Sequence, residues 1–278
     1  VDCLDINDSP EASRAILALD PIASSANVTV LTGMGLNPGL STVLLDDVVT
    51  RLQRAERIEV RLFAGGNEPS GLAATRTMIA NFRPYVLEFR DGHETSTAAD
   101  DASALTAFAY PTIPGTRVSI HCSSAESALL EARGDAAPKA HIDYRIHFQG
   151  MPPGLAGMFR RLPFLRSPRA ARALARLFHI MHGRSRRRSG NLDRSVMAVR
   201  AFGRTSNGTA HALTAFATGA TTFGMTAAFA AAVAKAHLRG ETGHSRGVLA
   251  IGPRTALSRP ALIDSLRTSG IEIRHVEG

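Results

Sequence analysis

Apolar and polar positions along the first fifty residues fall into two alternating rhythms. Val1–Ile6 and Val28–Leu31 are short β-branched or apolar runs that predict buried strands. Between them Ser9-Pro10-Glu11 predicts a helix start, with Ser9 as the cap and Pro10 at the first helical position, carrying Ala15, Ile16, Leu19 and Ile22 inward. After the second run the chain breaks at Gly33-Met34-Gly35. Asn37-Pro38-Gly39 then opens a helix that buries Leu40, Val43, Leu44 and Val48 at spacings of three and four. The order β-α-β-α predicts a parallel sheet with helical crossovers. In such sheets ligands bind beyond the carboxyl ends of the strands, where helix N-termini present free N–H groups. Gly33, Gly35 and Gly39 carry no Cβ, so a flat ring or a phosphate has room against the backbone there.

From Ile58 onward the rhythm changes. IEVRLFA (58–64) alternates apolar and charged residues, the period of a strand with one solvated face. Further strands are predicted at Tyr85–Arg90, Arg117–Ser123, Ile142–Phe148, Val196–Arg204 and Thr209–Phe216, with turns at Gly65-Gly66, Asp91-Gly92 and Asn207-Gly208, the last a strong hairpin signal. Thr221–Leu238 is a small-residue helix, Gly247–Ile251 a strand, Arg259–Ser269 a helix closed by Gly270, and Ile271–Val276 a last strand. The fold class is therefore α/β. A partial doubly wound Rossmann-type domain (1–55 and 245–278) is joined to an α+β domain with a largely antiparallel sheet (56–244), which carries a helical insertion at about 151–190.

Composition alters this picture in two places. The chain of 278 residues is 44% hydrophobic, with a mean hydropathy of −0.01 and no run of apolar residues long enough to span a bilayer; Ala210–Ala236 is interrupted by Thr, Gly and Lys235. The reading is of a cytoplasmic protein, with peripheral membrane contact as the one addition. Cys3 and Cys122 both sit in apolar runs and read as buried thiols. The net charge of +8 is local: ten arginines and no Asp or Glu lie between Met151 and Arg188, leaving the rest of the chain at −2.

The run ALDPIASSANVTVLTGMGLNPGLSTVLL, followed in order by IEVRLFAGG, the block Pro84-Tyr85-Val86-Leu87-Glu88-Phe89-Arg90-Asp91-Gly92, a Tyr110-to-Gly115 stretch, an alanine-rich helix and Gly247 to Ile271, resembles the saccharopine dehydrogenase (saccharopine reductase-like) family. The N-terminal G-x-G-x-x-G turn of that family is not in these residues. Since Val1 already lies inside a predicted strand, the expectation is an N-terminally truncated chain. The resemblance implies NAD(P)-dependent hydride transfer, with NADP or NAD, at a C–N bond of an amino-acid-derived small molecule, and a homodimer. It places Asp5, Asn7, Thr32, Gly33, Gly35, Leu36, Asn37, Pro38 and Gly39 beside the cofactor. Asn37 stands where the family carries an Asp that meets the substrate amine, and an amide cannot take the proton of an ammonium.

Arg76 and Arg90 are the candidates for a substrate carboxylate, because guanidinium binds carboxylate bidentately. Catalytic residues are not assigned, and no metal is expected: His179 and His182 are three apart but have no acidic or thiol neighbour. His121 and Cys122, adjacent on a strand, point to opposite faces. The Arg160–Arg188 segment interleaves arginines with Phe, Leu and Ile. Three readings stand for it: a lid over the site, a basic amphipathic helix on an anionic membrane surface, and a nucleic-acid contact, the last disfavoured by only three tyrosines and no Trp. The alternative to the oxidoreductase is a non-catalytic membrane-surface or assembly module that keeps the fold.

Overall fold

The computed structural model describes residues 2–65, 71, 72, 74, 75, 79, 84–99, 105–151, 154, 160, 161, 167–185, 192–243, 246–251 and 259–277, with backbone only for 168, 171 and 181–185. A small parallel sheet is built from β1 (Cys3–Leu4), β2 (Thr29–Thr32) and β11 (Gly247–Ala250), in the order β1-β2-β11. Two helices, α1 (Pro10–Leu17) and α2 (Asp20–Ser25), form the crossover between β1 and β2. The Ser9 hydroxyl accepts from the Ala12 N–H at the start of α1, as the cap pattern predicts.

The continuous inward stripe expected over Ala15–Ile22 does not form. Pro21 has no N–H to continue a helix, so the segment restarts as α2, and its buried positions are Pro10, Ser13 and Ala23. Leu19 and Ile22 are exposed. Cys3 is exposed too, because β1 is a two-residue strand at the sheet margin. Asp20 fastens α2 to β11 by accepting from the Val248 N–H at 2.7 Å.

Among the described residues the second sheet has nine strands. Its main order is β12-β10-β9-β3-β8-β4-β5, and a β6-β7 hairpin joins through β8. The strands are β3 (Arg54–Ala64), β4 (Tyr85–Arg90), β5 (His93–Ala98), β6 (Leu105–Phe108), β7 (Arg117–His121), β8 (His141–Phe148), β9 (Ser195–Arg204), β10 (Ala210–Gly219) and β12 (Glu272–Glu277). All pairings are antiparallel except β3 with β8. Asn207-Gly208 turns β9 into β10 as predicted. Asp91 and Gly92, both at positive φ, turn β4 into β5, a strand the polar run HETSTA did not announce. β12 pairs with β10, so the final strand belongs to this sheet and only β11 returns to the small one. That departs from the expected grouping of 245–278. Ile273, opposite Ala217, buries against the large sheet's core.

One continuous core ties the two sheets together. On the near face of the large sheet, Ile58, Val60, Ile142, Tyr144, Met197, Val199 and Ala215 pack against Leu40, Leu44, Leu45 and Val48 of α3 (Leu40–Thr50). Met225, Phe229 and Val233 of α6 (Thr222–Leu238) join the same core, as do Leu31 and Leu249 of the small sheet. Each fully buried leucine contributes about 1.5–3 kcal/mol. Further helices are α4 (Glu126–Glu131), α5 (Pro168–Ser185) and α7 (Arg259–Thr268).

The far face is not solvated, contrary to the alternation of IEVRLFA. Arg61 is 1% exposed and donates at 2.7 Å to Asp143 Oδ2 and at 2.7 Å to the Asp143 carbonyl. Arg145 Nε donates to both Asp143 oxygens, at 2.9 and 3.1 Å. His121 Nε2 lies 2.9 Å from Glu88 Oε1 and 3.5 Å from Asp143 Oδ1, and His141 Nε2 lies 3.3 Å from Glu88 Oε2. Arg160 closes this face by donating to the carbonyls of Ala99 and His121. The sequence period is that of a one-sided strand, but the charged side is paired and covered instead of wet.

Burial acts to raise both carboxyls. The histidines and the Thr97 hydroxyl outweigh it at Glu88, and Arg61 with Arg145 outweighs it at Asp143, so both are held below the ordinary range. A depressed folded-state pKa contributes stability that is complete above the ordinary values of 4.5 for Glu and 3.8 for Asp and is lost as pH falls below them. The urea midpoint should therefore drop steeply below about pH 4. Glu88→Gln should flatten that acid slope; an unchanged slope in the variant would contradict the assignment.

Candidate functional site

The carboxyl ends of β1 and β2 and the start of α3 meet in the turn Gly33-Met34-Gly35-Leu36-Asn37-Pro38-Gly39. The chain is threaded there by backbone bonds: Met34 N–H donates to Asp5 O at 2.9 Å, and Gly35 N–H donates to Pro38 O at 3.0 Å. The N–H groups expected to point outward from α3 are used inside the turn. Leu40 N–H donates to Gly35 O, Ser41 N–H to Leu36 O, each at 2.9 Å, and Gly39 N–H to Thr42 Oγ1 at 3.3 Å. An anion cradle on these donors is therefore closed off, which corrects the phosphate expectation.

The glycines answer to the same self-packing. Gly39 has φ +127°, and a Cβ there would stand 2.3 Å from Gly35 O and 2.7 Å from Gly33 O. Its missing side chain makes room for the turn's own carbonyls and not for a ligand. Thr32, Gly33, Gly35, Leu36, Pro38 and Gly39 are all buried, and Asn37 alone in the turn is half-exposed.

Behind the turn stands a group that sequence reasoning missed. Ser124 donates to Asn37 Oδ1 at 2.6 Å and accepts from the Glu126 N–H at 3.1 Å. Glu126 Oε1 accepts from the hydroxyls of Ser41, at 2.8 Å, and Thr42. Thr42 thus links Gly39 to Glu126, and Glu126 is completely buried. Burial pushes the Glu126 carboxyl up, against the opposing pull of Thr42, Ser41 and Arg133. Burial, and then the neighbouring Glu126, push the Tyr144 phenol up in turn. The pattern Ser123-x-x-Glu126 signals a helix start, but nothing local tells that the carboxylate reaches residues 84 and 85 positions away.

On the rim, Asp5 Oδ2 accepts from the Thr32 hydroxyl at 2.9 Å and Asp5 Oδ1 from the Asn7 N–H at 3.2 Å. Asn7 spends its amide on Ser9 and Ser13 and so shapes the entry to α1. The structure brings Asp5, Asn7, Thr32 and Asn37 into one neighbourhood through these bonds and the turn. It does not bring Arg90 there: that side chain lies on the far face, 3.3 Å from Glu88. Arg76 lies outside the described residues.

Two other sequence candidates resolve by packing. His121 is on the far face with Glu88, while Cys122 packs partly buried against the main core, its thiol pushed up to about 12 by burial and then by Asp143. Glu88, His121 and Asp143 have the mutual spacing of a cation site, but both oxygens of Asp143 already receive arginine N–H groups and Glu88 receives Thr97 and lies beside Arg90. Arginine N–H groups already engage these carboxylates, and the trio forms part of a buried ion-pair network.

Glu126→Gln keeps an acceptor for Ser41 and Thr42 and should leave the thermal midpoint within a few degrees. Glu126→Ala orphans both buried hydroxyls and should cost about 1–3 kcal/mol in urea unfolding. Equal losses in the two variants would show that the side chain only fills space.

No protein-family model and no curated protein matches the chain. Among solved structures, the apo, histidine-tagged saccharopine dehydrogenase (L-Glu forming) from Saccharomyces cerevisiae superposes with a TM-score of 0.62 at 16% identity, over 100% of this chain and 80% of that one. A mutant meso-DAPDH from Clostridium tetani E88, solved with DAP, reaches a TM-score of 0.38 at 11% identity, over 95% of this chain and 72% of that one; at that score it carries no argument. What the first likeness establishes is the fold: a mixed α/β architecture with a Rossmann-like parallel sheet, shared with a saccharopine dehydrogenase along the whole length of this chain.

Proposed function

We propose that this chain belongs to an NAD(P)-dependent oxidoreductase that moves a hydride between the nicotinamide and a C–N bond of an amino-acid-derived substrate. One observation supports it most. A rigid, self-closed turn sits at the carboxyl ends of parallel strands, in a fold shared with a saccharopine dehydrogenase, and presents a single half-exposed polar side chain, Asn37.

The residues present fit the nicotinamide–ribose end of such a cofactor. Asp5, half-buried on the rim and held by the Thr32 hydroxyl, offers a carboxylate of the kind that receives ribose hydroxyls, and the buried turn residues Gly35 and Leu36 stand between it and Asn37 in the chain. The bound cofactor supplies the hydride. The chain's part is to hold the ring and the reacting carbon in line and to keep water away.

In this reading Asn37 orients the substrate nitrogen. Ser124 fixes the amide, and Asn37 Oδ1 keeps a second lone pair for a substrate N–H. An amide takes up no proton, so Asn37 positions the nitrogen without deprotonating it.

The test is oxidation of NADPH and of NADH by the full-length gene product, with pairs of 2-oxo acids and amino acids, and mass spectrometry for the secondary amine. Asn37→Ala should lower kcat/KM roughly tenfold or more with an unchanged melting temperature. Absence of nucleotide-dependent conversion with every pair would overturn the proposal.

A further inference from the structure

The positive charge of the chain is gathered in one segment. Ten arginines and no acidic residue lie between Met151 and Arg188, while the remaining residues carry a net charge of −2. α5 (Pro168–Ser185) runs through this segment, and its two sides differ. Ala175 is fully buried and Leu174 and Phe178 are half-buried, so one side packs inward. Arg169, Arg172 and Arg176 are exposed at helical spacing along one flank of the outer side. Ala173, Leu177 and Ile180 are exposed along the adjoining flank, with Leu177 at 53% and Ile180 at 54%.

The exposed cations Arg169 and Arg176 beside exposed aliphatic side chains fit a partner that meets both at once. A second copy of this face would set arginines against arginines. A nucleic acid would take the guanidinium groups through its phosphates, but it would leave Leu177 and Ile180 in water. An anionic bilayer surface meets both needs: arginine at the headgroups, leucine and isoleucine at the edge of the acyl region. Among the described residues no helix is long and apolar enough to cross a membrane, so the contact is one of lying on the surface.

We propose that the outer face of α5 docks the protein on anionic lipid surfaces. None of the residues of this face belongs to the Asn37 turn. The segment that carries it also sends Arg160 onto the far face of the large sheet, opposite the core that packs α3. Docking therefore stands or falls independently of the oxidoreductase reading.

The test is flotation of the full-length protein with vesicles of phosphatidylcholine alone and of phosphatidylcholine with phosphatidylserine. Binding is expected to be at least about tenfold stronger to the anionic vesicles. It should weaken sharply as salt rises from about 0.1 M to about 1 M, where the screening length shrinks from about 10 Å to about 3 Å. Arg169→Gln with Arg176→Gln, and separately Leu177→Ser with Ile180→Ser, should each reduce partitioning about tenfold, and at these exposed positions the melting temperature should hold. Three results would each overturn the proposal: no flotation, equal flotation with neutral lipid, or flotation that survives both double substitutions. So would tight binding of an oligonucleotide that is unaffected by Leu177→Ser and Ile180→Ser.

Discussion

The turn from Gly33 to Gly39 can exist only because it is closed from both sides. Its own carbonyls take the first N–H groups of α3, and the buried Glu126 takes the hydroxyls of Ser41 and Thr42 from behind. Without those acceptors the first turn of α3 would carry unsatisfied donors in a dry interior, where each costs about 1–3 kcal/mol. With them, α3 is aimed rigidly between the small parallel sheet and the near face of the large one. The core from Leu31 to Ile273 is built on that helix.

The large sheet divides the chemistry of the molecule. Its near face carries the apolar core, with Tyr144 buried in it, and the helices that support the Asn37 turn. Its far face holds a paired, buried set of arginines, histidines and carboxylates and is closed by Arg160 of the basic insertion. A buried ion-pair network contributes little net stability compared with apolar packing, yet removing one partner costs about 3–5 kcal/mol, so it specifies the sheet more than it strengthens it. Strand register follows from it: Arg61 stands beside Arg145 across the β3–β8 ladder, and one carboxylate serves both.

What was legible in the sequence was local. Asn207-Gly208 declared its hairpin, Ser9-Pro10 its helix start, and Leu40, Val43, Leu44 and Val48 their common face, because each is decided within a few residues. What was hidden depends on distant partners. The charged period of IEVRLFA is the same whether its arginine meets water or an aspartate 82 residues away. The glycines of the turn look like space for a ligand until the carbonyls that fill it are seen. Nothing within a few residues of Glu126 shows that its carboxyl accepts from Ser41 and Thr42, 85 and 84 positions away. β12 was readable as a strand, but its choice of β10 as neighbour was set by the free edge of the large sheet.

The claim that this turn faces a nicotinamide is tested most directly by titrating NADPH and NADH into the full-length gene product and following nicotinamide fluorescence. No Trp is present in the 278 residues to complicate the signal. The account predicts saturable binding of at least one of the two, weakened when Asn37 is replaced by a bulky apolar residue while the fold is retained. Absence of saturable binding for both nucleotides, or binding indifferent to Asn37, would contradict it.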